Sequence, residues 1–126
     1  MEDHQKVKFL SPYQLGIRGE EIAQNYLEKQ KFRVIKKGFH LYRGEIDLIA
    51  YDKETLVFVE VKTRSPEALG LPEESVDERK QRQIRKIAEG YLAFNDLDDV
   101  ECRFDVISVV FDENESYSVK HYKDAF

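Results

Sequence analysis

The chain has 126 residues with 20 basic and 25 acidic side chains, a net charge of −5 and one cysteine. At about 100–200 residues per domain this is a single domain, and a chain of this size buries roughly two-thirds of its unfolded surface, so it needs neither disulfides nor structural metal. The excess of acids excludes a histone-like binder held by bulk charge; no apolar run approaches the ~18 residues of a membrane span and the N-terminus has no signal peptide's apolar stretch, so a cytoplasmic protein with no membrane partner is expected.

Residues 1–11 are expected to be flexible. Ser11-Pro12-Tyr13-Gln14 reads as a helix start, with a Ser cap, Pro at the first helical position and a Gln reaching back. The helix should run from about 12 to 29, with Leu15, Ile22, Ala23, Tyr26 and Leu27 as its apolar stripe. Gly16, Gly19 and Ala23 form a row of small residues. Each glycine costs about 1 kcal/mol inside a helix, so something is expected to pack closely on that row, with Glu20 directed into the same place.

Three β-like segments follow at about 32–37, 45–51 and 55–62, the last two separated by Asp52-Lys53-Glu54 and so expected as a hairpin. Residues 65–74 read as a loop, and Ser75-Val76-Asp77-Glu78 as a capping box opening a second helix whose apolar face is Ile84, Ile87, Ala88, Tyr91 and Leu92. Strands at about 103–111 and 116–122 close the chain. The order α-β-β-β-α-β-β implies an α/β fold, a central mixed sheet flanked by helices, with the second helix as a crossover between parallel neighbours. Phe9, Tyr13, Phe39 and Tyr42 are expected to be ordinary core; the alternative is an exposed aromatic patch serving protein interaction.

The charges are segregated. Lys29, Lys31, Arg33, Lys36, Lys37 and Arg43 fall in a stretch without acids, as do Arg79, Lys80, Arg82, Arg85 and Lys86, while acids gather at 96–101 and 112–115. Such stretches are either solvated faces or a local stripe that draws phosphate despite the negative total.

Side chains alternate along a strand, so Leu56, Phe58, Glu60 and Lys62 share one face and Val57, Val59 and Val61 the other. Glu60 is anomalous in so apolar a strand, because a buried carboxylate costs several kcal/mol unless it is paired or bound to metal. The bland alternative is a frayed strand end with a surface Glu60–Lys62 ion pair. A second acid-x-Lys triplet, Glu78-Arg79-Lys80, lies on the helix, where alternate residues point apart. Asp47 stands near the same end of the neighbouring strand as Glu60. Two carboxylates about 4 Å apart repel by roughly 4 kcal/mol at an effective dielectric near 20, so their convergence requires a proton, a base or a divalent cation. Oxygen ligands suit Mg²⁺ or Mn²⁺, whereas His4, His40, His121 and Cys102 match no zinc spacing and are expected to be structural or incidental. A carboxylate-bound cation beside a lysine is suited to phosphodiester hydrolysis.

Gly16-Ile17-Arg18-Gly19-Glu20-Glu21-Ile22-Ala23, Gly44-Glu45-Ile46-Asp47-Leu48-Ile49, Val57 to Arg64, Lys80, Cys102-Arg103-Phe104-Asp105-Val106 and the tail Lys123-Asp124-Ala125-Phe126 together resemble the YraN family over about residues 14–126. The resemblance implies the restriction-endonuclease-like fold, shared with archaeal Holliday junction resolvases and the RecB-type nuclease domain. It further implies Asp47 and Glu60 as metal ligands, Lys62 as the catalytic lysine and Glu20 as the extra helical acid of the resolvase-like branch. Glu45 belongs to the same block and either contacts metal or binds a basic neighbour. The RecB-type Gln-x-x-x-Tyr element has no match at Gln81 or Gln83, and Lys80 takes a comparable role; Lys37-Gly38-Phe39-His40 departs from the family pattern, in which an Asn is common.

The expectation is a Mg²⁺- or Mn²⁺-dependent DNA endonuclease acting on branched or damaged DNA through Glu20, Asp47, Glu60 and Lys62, with Arg43, Arg64, Lys80, Arg82 and Arg85 binding nucleic acid. By analogy with resolvases it works as a homodimer. The alternative is a non-catalytic nucleic-acid-binding or adaptor protein on the same fold.

Overall fold

Ser11 opens the first helix through a complete capping box: its hydroxyl accepts the Gln14 N–H at 3.1 Å and the Gln14 carbonyl oxygen accepts the Ser11 N–H at 2.9 Å. The structure, a computed structural model, describes residues 6–65 and 76–126. After a 3-10 turn at Val7–Phe9 come α1 (Pro12–Lys29), β1 (Arg33–Leu41), β2 (Gly44–Asp52), β3 (Thr55–Arg64), α2 (Glu78–Phe94), β4 (Cys102–Phe111) and β5 (Tyr117–Tyr122). The five strands form one sheet in chain order. All neighbours are antiparallel except β3 and β4, which are parallel and joined through α2. This is the expected α-β-β-β-α-β-β order around a mixed sheet.

Two boundaries differ from expectation for identifiable reasons. β1 runs four residues further, to Leu41, because Phe39 and Leu41 pair with Ile46 and Gly44 and bury against α2. Asp77 caps α2, its carboxylate accepting the Lys80 N–H at 2.8 Å, so the helix starts later than a Ser75 cap would place it. Ser75 and most of the loop expected over 65–74 lie outside the described residues.

Strand alternation produces two cores. Leu48, Ala50, Val57, Val59, Ile107 and Val109 pack under Ala23 and Leu27 of α1, while Ile49, Leu56, Phe58 and Val106 pack under Ile84, Ile87 and Ala88 of α2. The helices therefore cover opposite faces of the sheet. Burying side chains of this kind contributes about 1.5–3 kcal/mol each, which offsets the ordering entropy of the chain. Close packing on the small-residue row is found at Gly19, where a Cβ would collide with Oγ1 of Thr63 on β3; Gly16 has nothing within 4 Å. Of the four aromatics expected in the core, only Phe39 is there, against Tyr91, whereas Phe9, Tyr13 and Tyr42 are exposed.

A second buried polar cluster, not anticipated from the sequence, secures the C-terminus. Asp105 is fully buried on the α1 side of β4 and accepts hydrogen bonds from Arg103 Nε (2.8 Å) and Nη2 (3.0 Å), His121 Nε2 (2.8 Å) and the Asp124 N–H (3.0 Å). Arg103 continues to Asp52 at 3.1 Å and His121 Nδ1 to the Tyr26 hydroxyl at 3.2 Å. His121 is thus structural, as expected. Among the described residues, no helix is long and apolar enough to cross a membrane.

Candidate metal centre

β2 and β3 are paired from Asp52↔Thr55 to Leu48↔Val59 and part at Asp47. At the same place β2 loses its alternation: Leu48 joins the α1-side core, yet Ile46, two residues away, joins the α2-side core. The slip turns Asp47 into the opening between the strands, where its Oδ2 accepts the Val61 N–H at 2.8 Å. A side chain there replaces the backbone carbonyl that an unbroken ladder would offer.

Three carboxylates converge on this opening, and a fourth, Glu60, lies beside Asp47. Glu20 comes from α1, held against β3 by the Gly19–Thr63 approach. One oxygen each of Glu20, Glu45 and Asp47 lie within 4.8 Å of one another, a spacing at which a single ion can reach all three. Glu60, on β3, lies outside that trio but close enough to Asp47 for its charge to act on the Asp47 carboxyl. Asp47 and Glu60 are only 7% and 9% exposed, so water cannot compensate their charges. Burial first, and then the charge of Glu60, push the Asp47 carboxyl far above the usual carboxylate range. Glu20 shifts upward through burial, then through Glu45 and Glu60. The frayed-end alternative for Glu60 is excluded by its burial.

One positive charge beside this cluster comes from α2. Lys80 Nζ lies 3.9 Å from Glu60 Oε2, an oxygen that is buried without a hydrogen-bond partner among the described residues. A site made of oxygen donors alone, with a buried oxygen that has no hydrogen-bond partner among the described residues, fits a hard cation such as Mg²⁺ or Mn²⁺. Of the two readings left open for Glu45, the basic neighbour is present, His40 Nε2 at 3.0 Å from its Oε1, and Glu45 also lies in the carboxylate group. His40 is therefore a neighbour of the cluster rather than incidental.

Of the other residues singled out from the sequence, Lys62 is half-buried two positions beyond Glu60 on β3. Lys80 and Arg82 line a cleft of about 510 Å³ with Tyr42, Arg79, Gln83 and Lys86. Arg43 lines an adjoining cleft of about 590 Å³ that also includes Glu45, Lys80 and Gln83. Arg64 ends β3. Arg85 is absent from both clefts and stacks instead over Phe104 (4.8 Å) and Phe126 (5.6 Å), so it serves packing of the C-terminal segment.

A family model described as "Uncharacterised protein family UPF0102" matches residues 19–109, which include Glu20, Glu45, Asp47, Glu60, Lys62 and Lys80. The chain belongs to the UPF0102 family. This is the family it resembles under the name YraN. The UPF0102 chain is 43% identical to a UPF0102 protein of Chlorobaculum tepidum over 121 residues, 92% of this chain and 94% of that one. It is 46% identical to one of Chlorobaculum parvum over 121 residues, with the same coverage. It is 43% identical to one of Geobacter sulfurreducens over 112 residues, 89% and 88% of the two chains.

Proposed function

We propose that this UPF0102 chain is a divalent-cation-dependent endonuclease that hydrolyses phosphodiester bonds in DNA, with branched or damaged DNA as its substrate class. The observation that carries the reading is the trio Glu20, Glu45 and Asp47 with buried Glu60 beside it, whose Oε2 has no hydrogen-bond partner among the described residues. Asp47, Glu60 and Glu20, with Glu45, hold the cation, and the Val61 N–H fixes the orientation of Asp47. When bound there, Mg²⁺ or Mn²⁺ supplies Lewis acidity toward water and the scissile phosphate. Lys62 is the catalytic lysine, its ammonium orienting the nucleophile and stabilising the developing oxyanion. Lys80, beside Glu60, steadies the phosphate from the α2 side, and Arg43, Arg64 and Arg82 extend the contact along the strand.

Purified protein is incubated with junction, flap, single-stranded and duplex DNA in Mg²⁺ or Mn²⁺. Cleavage that disappears in Asp47→Asn and Glu60→Gln is expected; no cleavage, or variants that cleave as well as the parent, overturns the assignment. Salt-dependent DNA binding without turnover would instead identify a non-catalytic binding protein on this fold. A four-way junction presents two equivalent scissile sites, so the junction-cleaving form of the proposal requires a two-fold dimer, and light scattering that finds only monomer removes it.

A further inference from the structure

The turn between β1 and β2 is closed by two residues, Tyr42 and Arg43, flanked by the pair Leu41↔Gly44. Both have left-handed backbones, with φ of 53° and 59°, where tight hairpins ordinarily use Asn or Gly. The turn is held in this form by α2. A Cβ at Gly90 would collide with Leu41 Cδ2 and crowd Tyr42 Cε2 at 3.3 Å, so only glycine lets the hairpin tip dock there. Lys86, one turn earlier, places its Nζ 4.9 Å from the centroid of the Tyr42 ring. Despite this docking the Tyr42 side chain remains 53% exposed, an unusual state for a large aromatic fixed by its backbone.

The ring stands in the cleft lined by Arg79, Lys80, Arg82 and Lys86, with Asp77, whose carboxylate already caps α2, as the one acid among the described lining residues. Lys80 and Gln83 belong to this cleft and to the adjoining one with Arg43 and Glu45. The two clefts thus meet, and their shared wall leads to the carboxylate cluster through Glu45 and through the Lys80–Glu60 contact. Basic side chains around an exposed ring are the combination that binds a single strand, phosphates to the cations and a base on the ring. A paired, stacked base offers no free face to such a ring.

Resting on the nuclease reading above, we propose that Tyr42 is a stacking platform for an unpaired DNA base beside the scissile phosphate, which directs the site to single-stranded segments rather than continuous duplex. The phosphodiester chain runs along Lys86, Arg82 and Lys80 toward the acids, and the OH of Tyr42 is dispensable.

Binding is read in EDTA, separately from turnover, by the fluorescence of 2-aminopurine in a single-stranded oligonucleotide and by anisotropy of that strand against a blunt duplex of equal length. The parent is expected to prefer the single strand and to quench the probe. Tyr42→Ala should weaken single-strand binding about tenfold and abolish quenching, with duplex binding changed less than about twofold, while Tyr42→Phe retains both. Equal losses on single strand and duplex, or none, overturn the proposal, as does a Tyr42→Phe variant that behaves like Tyr42→Ala. Should Tyr42→Ala unfold, an abasic nucleotide at the quenched position supplies the same comparison on the folded parent: it should weaken single-strand binding about tenfold, and an abasic strand bound as tightly as the intact one overturns the proposal. Cleavage that depends on Asp47 but with binding indifferent to Tyr42 sinks this inference alone; Tyr42-dependent binding without cleavage sinks the nuclease reading alone.

Discussion

Glu60→Gln separates a metal centre from a chance meeting of acids, because the two predict opposite changes in stability. In the parent, Asp47 and Glu60 are buried neighbours, and like charges about 4 Å apart cost roughly 4 kcal/mol at an effective dielectric near 20. Uptake of a proton by Asp47 relieves part of this. The glutamine amide of the variant would donate its N–H to the Asp47 carboxylate and replace repulsion with a hydrogen bond, at the loss of a part-exposed Lys80 pair worth at most about 1 kcal/mol. The net expectation in EDTA at pH 8 is a stabilisation of about 1–3 kcal/mol, a rise of roughly 3–10 °C in Tm for a domain of this size. The pH dependence has a definite sign. Asp47 has its folded pKa raised from 3.8 to about 9, so the stability its proton confers is complete below about pH 4 and lost as pH rises toward 9. The advantage of Glu60→Gln should therefore grow across that window. Saturating Mn²⁺ should reverse the order, stabilising the parent by about 2.7 kcal/mol at a hundredfold excess over Kd and the variant far less. Scanning calorimetry with and without Mn²⁺ measures both. A Glu60→Gln protein less stable than the parent in EDTA, or one whose Mn²⁺ shift is undiminished, refutes the reasoning.

Asp105 carries the opposite linkage. Burial alone would raise its pKa, but the hydrogen bonds from His121 and Arg103 together outweigh burial and lower it from 3.8 to about 2, so Asp105 contributes about 2 kcal/mol above pH 4 that is lost as pH falls toward 2. Asp105→Asn should cost about 3 kcal/mol at pH 7, with a flatter acid limb in denaturant titrations. Gly19→Ala drives a methyl into Thr63, and should cost about 1–3 kcal/mol and weaken Mn²⁺ binding by moving Glu20, with partial rescue by Thr63→Ala; Gly16→Ala, in open space, should instead gain up to about 1 kcal/mol. Lys80→Met is expected to weaken DNA binding and to reduce by about one the slope of log affinity against log salt, measured by anisotropy across a salt series.

Features whose physics is local were legible in the residues themselves. The Ser11-Pro12-Tyr13-Gln14 box sets the start of α1, and the two-residue turn at Lys53-Glu54 fixes the β2–β3 hairpin and its register. Parity on β3 follows from strand alternation, and the hairpin places Glu60 and Asp47 at one end of adjacent strands. What escaped depends on contacts remote in sequence. The local slip of β2 at Asp47 is one such feature, and no periodicity announces it, although the shared parity of Glu45 and Asp47 already allowed both to face one side. Asp105 reads as one more acid in a strand until β5 and the tail supply His121 and the Asp124 N–H.

The sequence by itself determined the elements, their order, the two apolar faces and the strand end at which acids gather, because capping, alternation and turn length act over a few residues. Only tertiary structure decided which cation stands beside Glu60: Lys80 of α2 lies 3.9 Å from its Oε2, a pairing set by how the helix docks across the sheet. It likewise decided that Tyr42 is presented in a basic cleft while Arg85 is taken up by Phe104 and Phe126, since the rotation of α2 against the sheet depends on the whole buried interface, including the missing side chain at Gly90.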